Sequence, residues 1–204
     1  TLRGADSTEI GPEDVTYSVL NGSYISIDSY TGNAERIRIP EEINGYTVQK
    51  ISNNAFKNNK NIQSVSLPES VETIGESAFE NCGKLTEVVF PSGLESISIK
   101  AFQGCTGLTE VMLPNGLKKI DSYAFSGCTA LPTVEIPDSV TAIGYRACYN
   151  CTGITTMSYP VGWTECAGYS SYPTYYGHIF EGCTGLTGIT VPEGITELPK
   201  HAFE

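Results

Sequence analysis

The side chains whose types and spacing could do chemistry fall in three places. Cys148 and Cys151 form a C-x-x-C pair, the spacing of a redox dithiol. Between Ser158 and Phe180 the chain reads SYPVGWTECAGYSSYPTYYGHIF, which gathers the only tryptophan, five of the twelve tyrosines, Cys166 and one of the two histidines, His178. A thiol, an imidazole and ring-binding aromatics in one short segment are the materials of an active site or a recognition surface. Glu87 and Glu110 share the sequence context T-E-V, so if they are neighbours in space they could hold a cation. No G-x-S-x-G elbow, Gly-rich phosphate loop or metal-spaced histidine pair accompanies these groups. What they can do depends on the elements that position them.

Those elements are set by a repeat. Aligned on Ala-Phe, units start at Ala55, Ala78, Ala101 and Ala124, each 23 residues after the last. A fifth starts at Ala147 as ACYNCTGITTMSYP, and the next, IFEGCTGLTGITVPEGITELPKH, starts at Ile179, 32 residues later; from Ile179 to Ala202 the step is again 23. The tryptophan-bearing segment therefore holds a nine-residue surplus inside one unit.

Each column of the alignment has a physical reading. Leu85, Val88 and Phe90, like Leu108, Val111, Leu113 and Leu131, Val134, Ile136, give a short strand with one buried face. Pro68, Pro91, Pro114, Pro137, Pro160 and Pro192 end that strand, because proline has no N–H for the ladder. A second apolar pair follows, such as Leu94 and Ile97. The slot held by Asn58, Asn81, Gly104, Gly127, Asn150 and Gly182 accepts only Asn and Gly, which predicts a backbone corner with positive φ. A unit of this kind cannot bury its apolar residues alone, so the units must stack as a solenoid.

The pattern C-x-x-L-x-x-V-x-L-P-x-x-L-x-x-I-G-x-x-A-F resembles the 23-residue leucine-rich repeat of BspA-like (Treponema-type) bacterial surface proteins, over about residues 51–204. YSVLNGSYISI and ERIRIPEEINGYTVQKI are similar to that family's N-terminal cap, and Asn21-Gly22 is by itself a hairpin signal. The chain departs from commoner leucine-rich repeats in having Ser70, Gly93, Gly116, Ser139 and Gly194 where asparagine is usual, and Cys148 where Phe56, Phe79, Phe102, Phe125, Phe180 and Phe203 stand in other units. The fold expected is a β-rich, α/β-class leucine-rich-repeat solenoid of right-handed coils of about 23 residues, with a parallel strand ladder and an N-terminal β-hairpin cap. Residues 1–14 are expected to be a flexible leader, 15–50 the cap and 51–204 the repeats, with an insertion at about 161–177. The chain begins at Thr1 and Ala202-Phe203 open a further unit, so a processed or excised piece of a longer protein is expected.

Within this frame the chemistry shrinks. Cys82, Cys105, Cys128, Cys151 and Cys183 fall in one column, and stacked coils would set them about 4.8 Å apart and pointing the same way. A disulfide needs converging Cβ atoms about 3.8 Å apart, so a ladder of buried, reduced thiols is expected. Cys148 and Cys166 lie off the column and are either bridged or two separate thiols. His178 and His201 share a polar, varied column with Ser77, Lys100, Tyr123 and Arg146, which reads as solvent-facing. No catalytic residue, cofactor or metal site is expected.

Two binding surfaces remain. The outward columns of a concave strand face would be Ser64, Glu87, Glu110, Thr133, Thr156, Gly188 and Ser66, Val89, Met112, Glu135, Ser158, Thr190. Ser64, Glu87, Val89, Glu110, Met112 and Glu135 are its candidate contacts. The insertion offers Trp163, Tyr169, Tyr172, Tyr175 and Tyr176, suited to protein contact or to stacking on sugar rings, although Trp163 and some of the tyrosines could instead fold back to cover an apolar seam left by the irregular coil. A net charge of −11 argues against nucleic acid, and no apolar run is long enough to span a bilayer. The resemblance implies a non-enzymatic, extracellular or cell-surface module that binds or adheres to a protein partner on a host or bacterial surface. A glycan-binding module and a spacer for a separate catalytic domain are the alternatives.

Overall fold

The computed structural model describes residues 7–169 and 174–203. In chain order the strands are β1 (Thr8–Glu9), β2 (Val15–Asn21), β3 (Tyr24–Tyr30), β4 (Arg36–Arg38), β5 (Glu42–Ile43), β6 (Tyr46–Ile51), β7 (Ser64–Ser66), β8 (Thr73–Ile74), β9 (Glu87–Val89), β10 (Ser96–Ile97), β11 (Glu110–Val111), β12 (Lys119–Ile120), β13 (Thr133–Val134), β14 (Ala142–Gly144), β15 (Thr156–Met157) and β16 (Glu165–Ala167). They form a β-solenoid with two parallel ladders. One, in the order β1-β4-β7-β9-β11, is built from the leucine-rich strands and resumes as β13-β15; the other, β16-β14-β12-β10-β8-β6-β3, is built in the repeats from the second apolar pair of each unit and is unbroken from the cap to β16, with β2 added antiparallel to β3 at its end. The fold class read from the repeat is the one observed.

Between the ladders lies a single core. The phenylalanine slots stack face to face: Phe56–Phe79, Phe79–Phe102 and Phe102–Phe125 centroids are 4.8, 5.2 and 5.6 Å apart, and Tyr30 of the cap heads the row, 5.5 Å from Phe56. Every Asn/Gly corner has positive φ, from 56° at Asn150 to 77° at Gly182.

The cap enters the stack more deeply than its sequence suggests. β2 and β3 form the hairpin, closed by Gly22-Ser23 between the paired residues Asn21 and Tyr24, one residue on from the expected Asn21-Gly22 turn. Residues 8–14 are part of the solenoid, not a loose leader. β1 pairs with β4, and buried Ile10 donates its N–H to the Arg38 carbonyl at 3.1 Å, just as Ile39 does to Ser66 and Leu67 to Val89. Glu9 pairs with Arg38 at 2.7 Å. Thr8-Glu9-Ile10 is thus one more rung, too short to show a strand's alternation in the sequence.

A second left-handed corner, unexpected from the sequence, occupies the column before Ala-Phe. Asn54, Ser77, Lys100, Tyr123, Arg146, His178 and His201 all have φ between 50° and 70°. This conformation costs an L-residue roughly 1–2 kcal/mol, and the stack sustains it through bonds such as Lys100 N–H to the Ser122 carbonyl and Tyr123 N–H to the Tyr145 carbonyl, both 3.0 Å. The column is therefore a conserved shape rather than a free solvent-facing position, and its members other than Asn54 are buried or half-buried.

Candidate binding surfaces

The insertion is narrower than the span 161–177 expected for it, and its place follows from main-chain register. β16 continues the long ladder, with Cys166 opposite Ile143 and Ala167 opposite Gly144. Tyr145 N–H reaches the Ala167 carbonyl, 22 residues on, as in regular coils, whereas the next residue, Arg146, reaches the Gly177 carbonyl, 31 residues on; both bonds are 3.1 Å. The nine surplus residues are thus 168–176.

Trp163 consequently belongs to the scaffold and not to the binding loop. It fills the slot of Val71, Leu94, Leu117 and Val140, is 2% exposed, and packs 5.4 Å from Tyr159 and 6.0 Å from Phe203. Its indole N–H donates to the Glu165 carbonyl at 2.9 Å. In the same coil the phenylalanine slot holds the smaller Cys148, so one coil exchanges a large and a small side chain between two core positions.

Of the four proposed loop tyrosines, Tyr169, Tyr175 and Tyr176 lie among the described residues and Tyr172 lies outside them. Tyr169 and Tyr175 exchange main-chain hydrogen bonds of 2.9 and 3.2 Å, which closes the loop's neck. Tyr169 packs at 5.4 Å against Tyr123 and 6.4 Å against Tyr145, and Tyr175 at 5.7 Å against Tyr145. Tyr176 stacks on His201 at 5.4 Å. Tyr175 and Tyr176 remain 50% and 42% exposed. Beneath them Arg146 donates to Glu181 at 2.7 and 2.9 Å and lies over the Tyr149 ring at 4.4 Å, and His178 faces the same carboxylate at 3.3 Å. Burial works against the Arg146 charge, but the Glu181 bonds outweigh it and raise its pKa; burial also raises that of Tyr145. Tyr123, Tyr145 and Arg146 were not singled out from the sequence. Their signal was the column that Tyr123 and Arg146 share with His178, read there as merely polar, with Tyr145 one residue before it.

The thiol column is chemically quiet. Each Sγ–H donates into the previous coil: Cys82 to the Phe56 carbonyl, Cys105 to Phe79, Cys128 to Phe102, Cys151 to Phe125 and Cys183 to Cys148, at 3.0–3.3 Å. Burial pushes Cys82 up to about 12 and raises Cys105 and Cys128 well above the usual thiol range. Cys151 is raised chiefly by its bond with Cys148, and Cys183 by its bond with Cys151. A thiol held protonated in this way is a poor nucleophile. Cys148 and Cys166 are buried thiols, not halves of a bridge. Cys166 takes the slot of the core isoleucines Ile97, Ile120 and Ile143.

On the strand face, Glu87 stands between Ser64 and Glu110 in register. Ser64 departs from expectation: at 1% exposure, its short side chain between the longer Arg36 and Glu87 cannot reach a ligand. Val89 and Glu87 are half-buried, Glu110 and Glu135 exposed, and Met112, bridged in register to Glu135, is 74% exposed. Among the described residues, no three His, Cys, Asp or Glu side chains are grouped to hold a metal ion.

The whole-chain comparisons agree with this geometry. The model of the BspA type leucine rich repeat region matches residues 49–174 and 170–204, with six copies. The chain belongs to the BspA-type leucine-rich repeat family. Among solved structures, a leucine rich repeat protein of Treponema pallidum is 31% identical with a TM-score of 0.82, over 91% of this chain and 84% of that one. One from Bacteroides ovatus is 29% identical (TM-score 0.77), over 88% of this chain and 46% of its own. A leucine rich cell surface protein of Faecalibacterium prausnitzii is also 29% identical (TM-score 0.68), over 91% and 55%. The BspA-type chain thus spans about half of each of the latter two. No curated protein matches it. No helix among the described residues is long and apolar enough to cross a membrane.

Proposed function

We propose that this BspA-type solenoid is a non-enzymatic cell-surface module that binds a protein partner through the tyrosine edge of its insertion. The observation that carries this reading is the exposure of Tyr175 and Tyr176 on a loop whose neck is fixed to the coils by Tyr169, Tyr123 and Tyr145. Rigid aromatics with a polar tip supply contact area at low entropic cost, and binding hot spots are enriched in tyrosine. The segment 168–176, GYSSYPTYY, consists only of Gly, Tyr, Ser, Pro and Thr, close to the composition of antibody recognition loops. The surface location is supported by the Faecalibacterium neighbour, described as a cell surface protein.

The test is binding of labelled chain to epithelial and bacterial cells before and after protease or periodate treatment, with wild type and the Tyr175→Ala/Tyr176→Ala double variant. A protein partner predicts signal lost on proteolysis and weakened in the variant. Loss on periodate, with signal on a glycan array, would replace it by the sugar-binding reading. Binding that survives in the double variant removes the loop from the function.

A further inference from the structure

The leucine-rich ladder breaks between β11 and β13, where a proline interrupts a threonine column; among the described residues it breaks again after β15, where the isolated Ser158–Thr190 bridge reaches the last coil. In regular coils the residue after the first strand leucine is a threonine that reaches the coil before it twice. Thr86 gives its N–H (2.8 Å) and hydroxyl (2.9 Å) to the Gln63 carbonyl, and Thr109 likewise reaches Thr86 at 3.1 and 3.3 Å. Thr155 does the same to Pro132, at 3.0 and 3.4 Å. In the coil between, that slot is Pro132, which has neither an N–H nor a hydroxyl. The Thr109 carbonyl receives neither bond, β11 and β13 do not pair, and only the isolated Met112–Glu135 bridge spans the gap. The opposite ladder passes the same point intact through β12 and β14. Regular pairing between these two coils is therefore lost on one face only.

A cleft of about 880 Å³ lies there, with Thr109 in its wall, and it adjoins a second of about 750 Å³ over the neighbouring coils. The two share Glu110, Met112, Leu113 and Asn115. Their walls contain carboxylates, including Glu87, Glu110 and Glu135, and no lysine, arginine or histidine. Glu69 and Asp138, also at the rim, each accept a main-chain N–H from the next coil, whereas Glu87, Glu110 and Glu135 take part in no ion pair among the described residues. Apolar surface from Met112, Val89 and Leu113 lies between them.

We propose that this parted seam docks an extended, cationic peptide segment of a partner protein. Its basic side chains would meet Glu87, Glu110 and Glu135, an apolar side chain would lie on Met112, and a donor would reach the Thr109 carbonyl. Charge complementarity selects the occupant: an acidic strand would meet uncompensated carboxylates, and a neutral one would leave them unpaired. The site is separate from the tyrosine loop, so failure of either reading leaves the other standing.

The probe is a fluorescent seven-residue peptide alternating Lys and Leu, compared with its Glu/Leu counterpart by anisotropy across a salt series. The Lys/Leu peptide should bind, more weakly as salt rises. Glu110→Gln with Glu135→Gln should weaken it about tenfold, while Glu72→Gln with Glu95→Gln, two exposed carboxylates outside the cleft, should not. The decisive variant is Pro132→Thr, which restores the threonine of the coils on either side and alters no lining side chain. It should weaken binding by closing the seam, with circular dichroism confirming the fold. Unchanged binding by Pro132→Thr, equal losses from the two carboxylate pairs, or equal binding of the Glu/Leu peptide would each overturn the proposal.

Discussion

Replacing Trp163 by alanine separates a scaffold residue from a recognition residue, because the two roles predict opposite readouts. Removing a buried tryptophan costs about 3–5 kcal/mol in well-packed cores. At this position the lower end applies. Phe203, one of the two rings against Trp163, is itself 49% exposed, so the void can be partly relieved, and the Glu165 carbonyl that loses the indole N–H is on an exposed residue that water can reach. The expected loss is about 3 kcal/mol, with Trp163→Phe costing about half of that. In a stack of nearest-neighbour coils the loss should appear first as local opening of the coils after Ala147. Urea unfolding followed by circular dichroism, with hydrogen exchange resolved along the chain, measures both the size and the place. Tyr175→Ala and Tyr176→Ala should each stay within about 0.5 kcal/mol of wild type, as exposed positions do. A Trp163→Ala chain as stable as wild type but impaired in partner binding would refute the assignment of this ring to the core.

Three further outcomes follow from the stack. Phe102→Ala should cost about 3–5 kcal/mol and open the solenoid near its middle, since its ring is stacked on both sides and cannot be relieved from an end; thermal melts compared with Trp163→Ala check this. Because the column thiols have raised pKa values, the unfolded chain releases their protons first. Stability should therefore be full below about pH 8.5 and fall above it, by about 1.4 kcal/mol per pH unit for each thiol still protonated in the fold, with a shallower slope in Cys128→Ala. The Glu69 carboxyl is held below its ordinary pKa by the Ser92 hydroxyl and N–H, so its contribution is present above about pH 4.3 and lost as pH falls through the lowered value. Solvent exposure limits it to less than about 1 kcal/mol, and urea midpoints of Glu69→Gln should differ from wild type at pH 6 but converge with it at pH 3.

Much of this architecture could be read from residue types alone, wherever a slot restricts chemistry. Asn and Gly at one corner announce positive φ, and the cysteine column announces burial. The other left-handed corner was hidden because Lys100, Tyr123, Arg146 and His178 carry no intrinsic preference for that conformation; neighbouring coils impose it. The place of Trp163 was hidden for a related reason. Next to Gly162 and in front of a run of tyrosines it looks like loop, and only the pairing of Cys166 with Ile143 shows that the coil continues past it. The threonine column broken by Pro132 was visible as letters, but its meaning depends on which way the main chain points. That is a property of stacked coils and not of a single unit.

The register jump at the Tyr145–Arg146 step has an evolutionary consequence. Successive residues of one coil bond to Ala167 and Gly177, so the ends of segment 168–176 are held by bonds that do not depend on what lies between them. Lengthening a loop closed in this way costs only about 0.6 kcal/mol per doubling, well below the cost of disturbing the phenylalanine row. The corner acts as a port. Sequence of varied length and chemistry can be exchanged there under selection while the coils on either side go on folding as before.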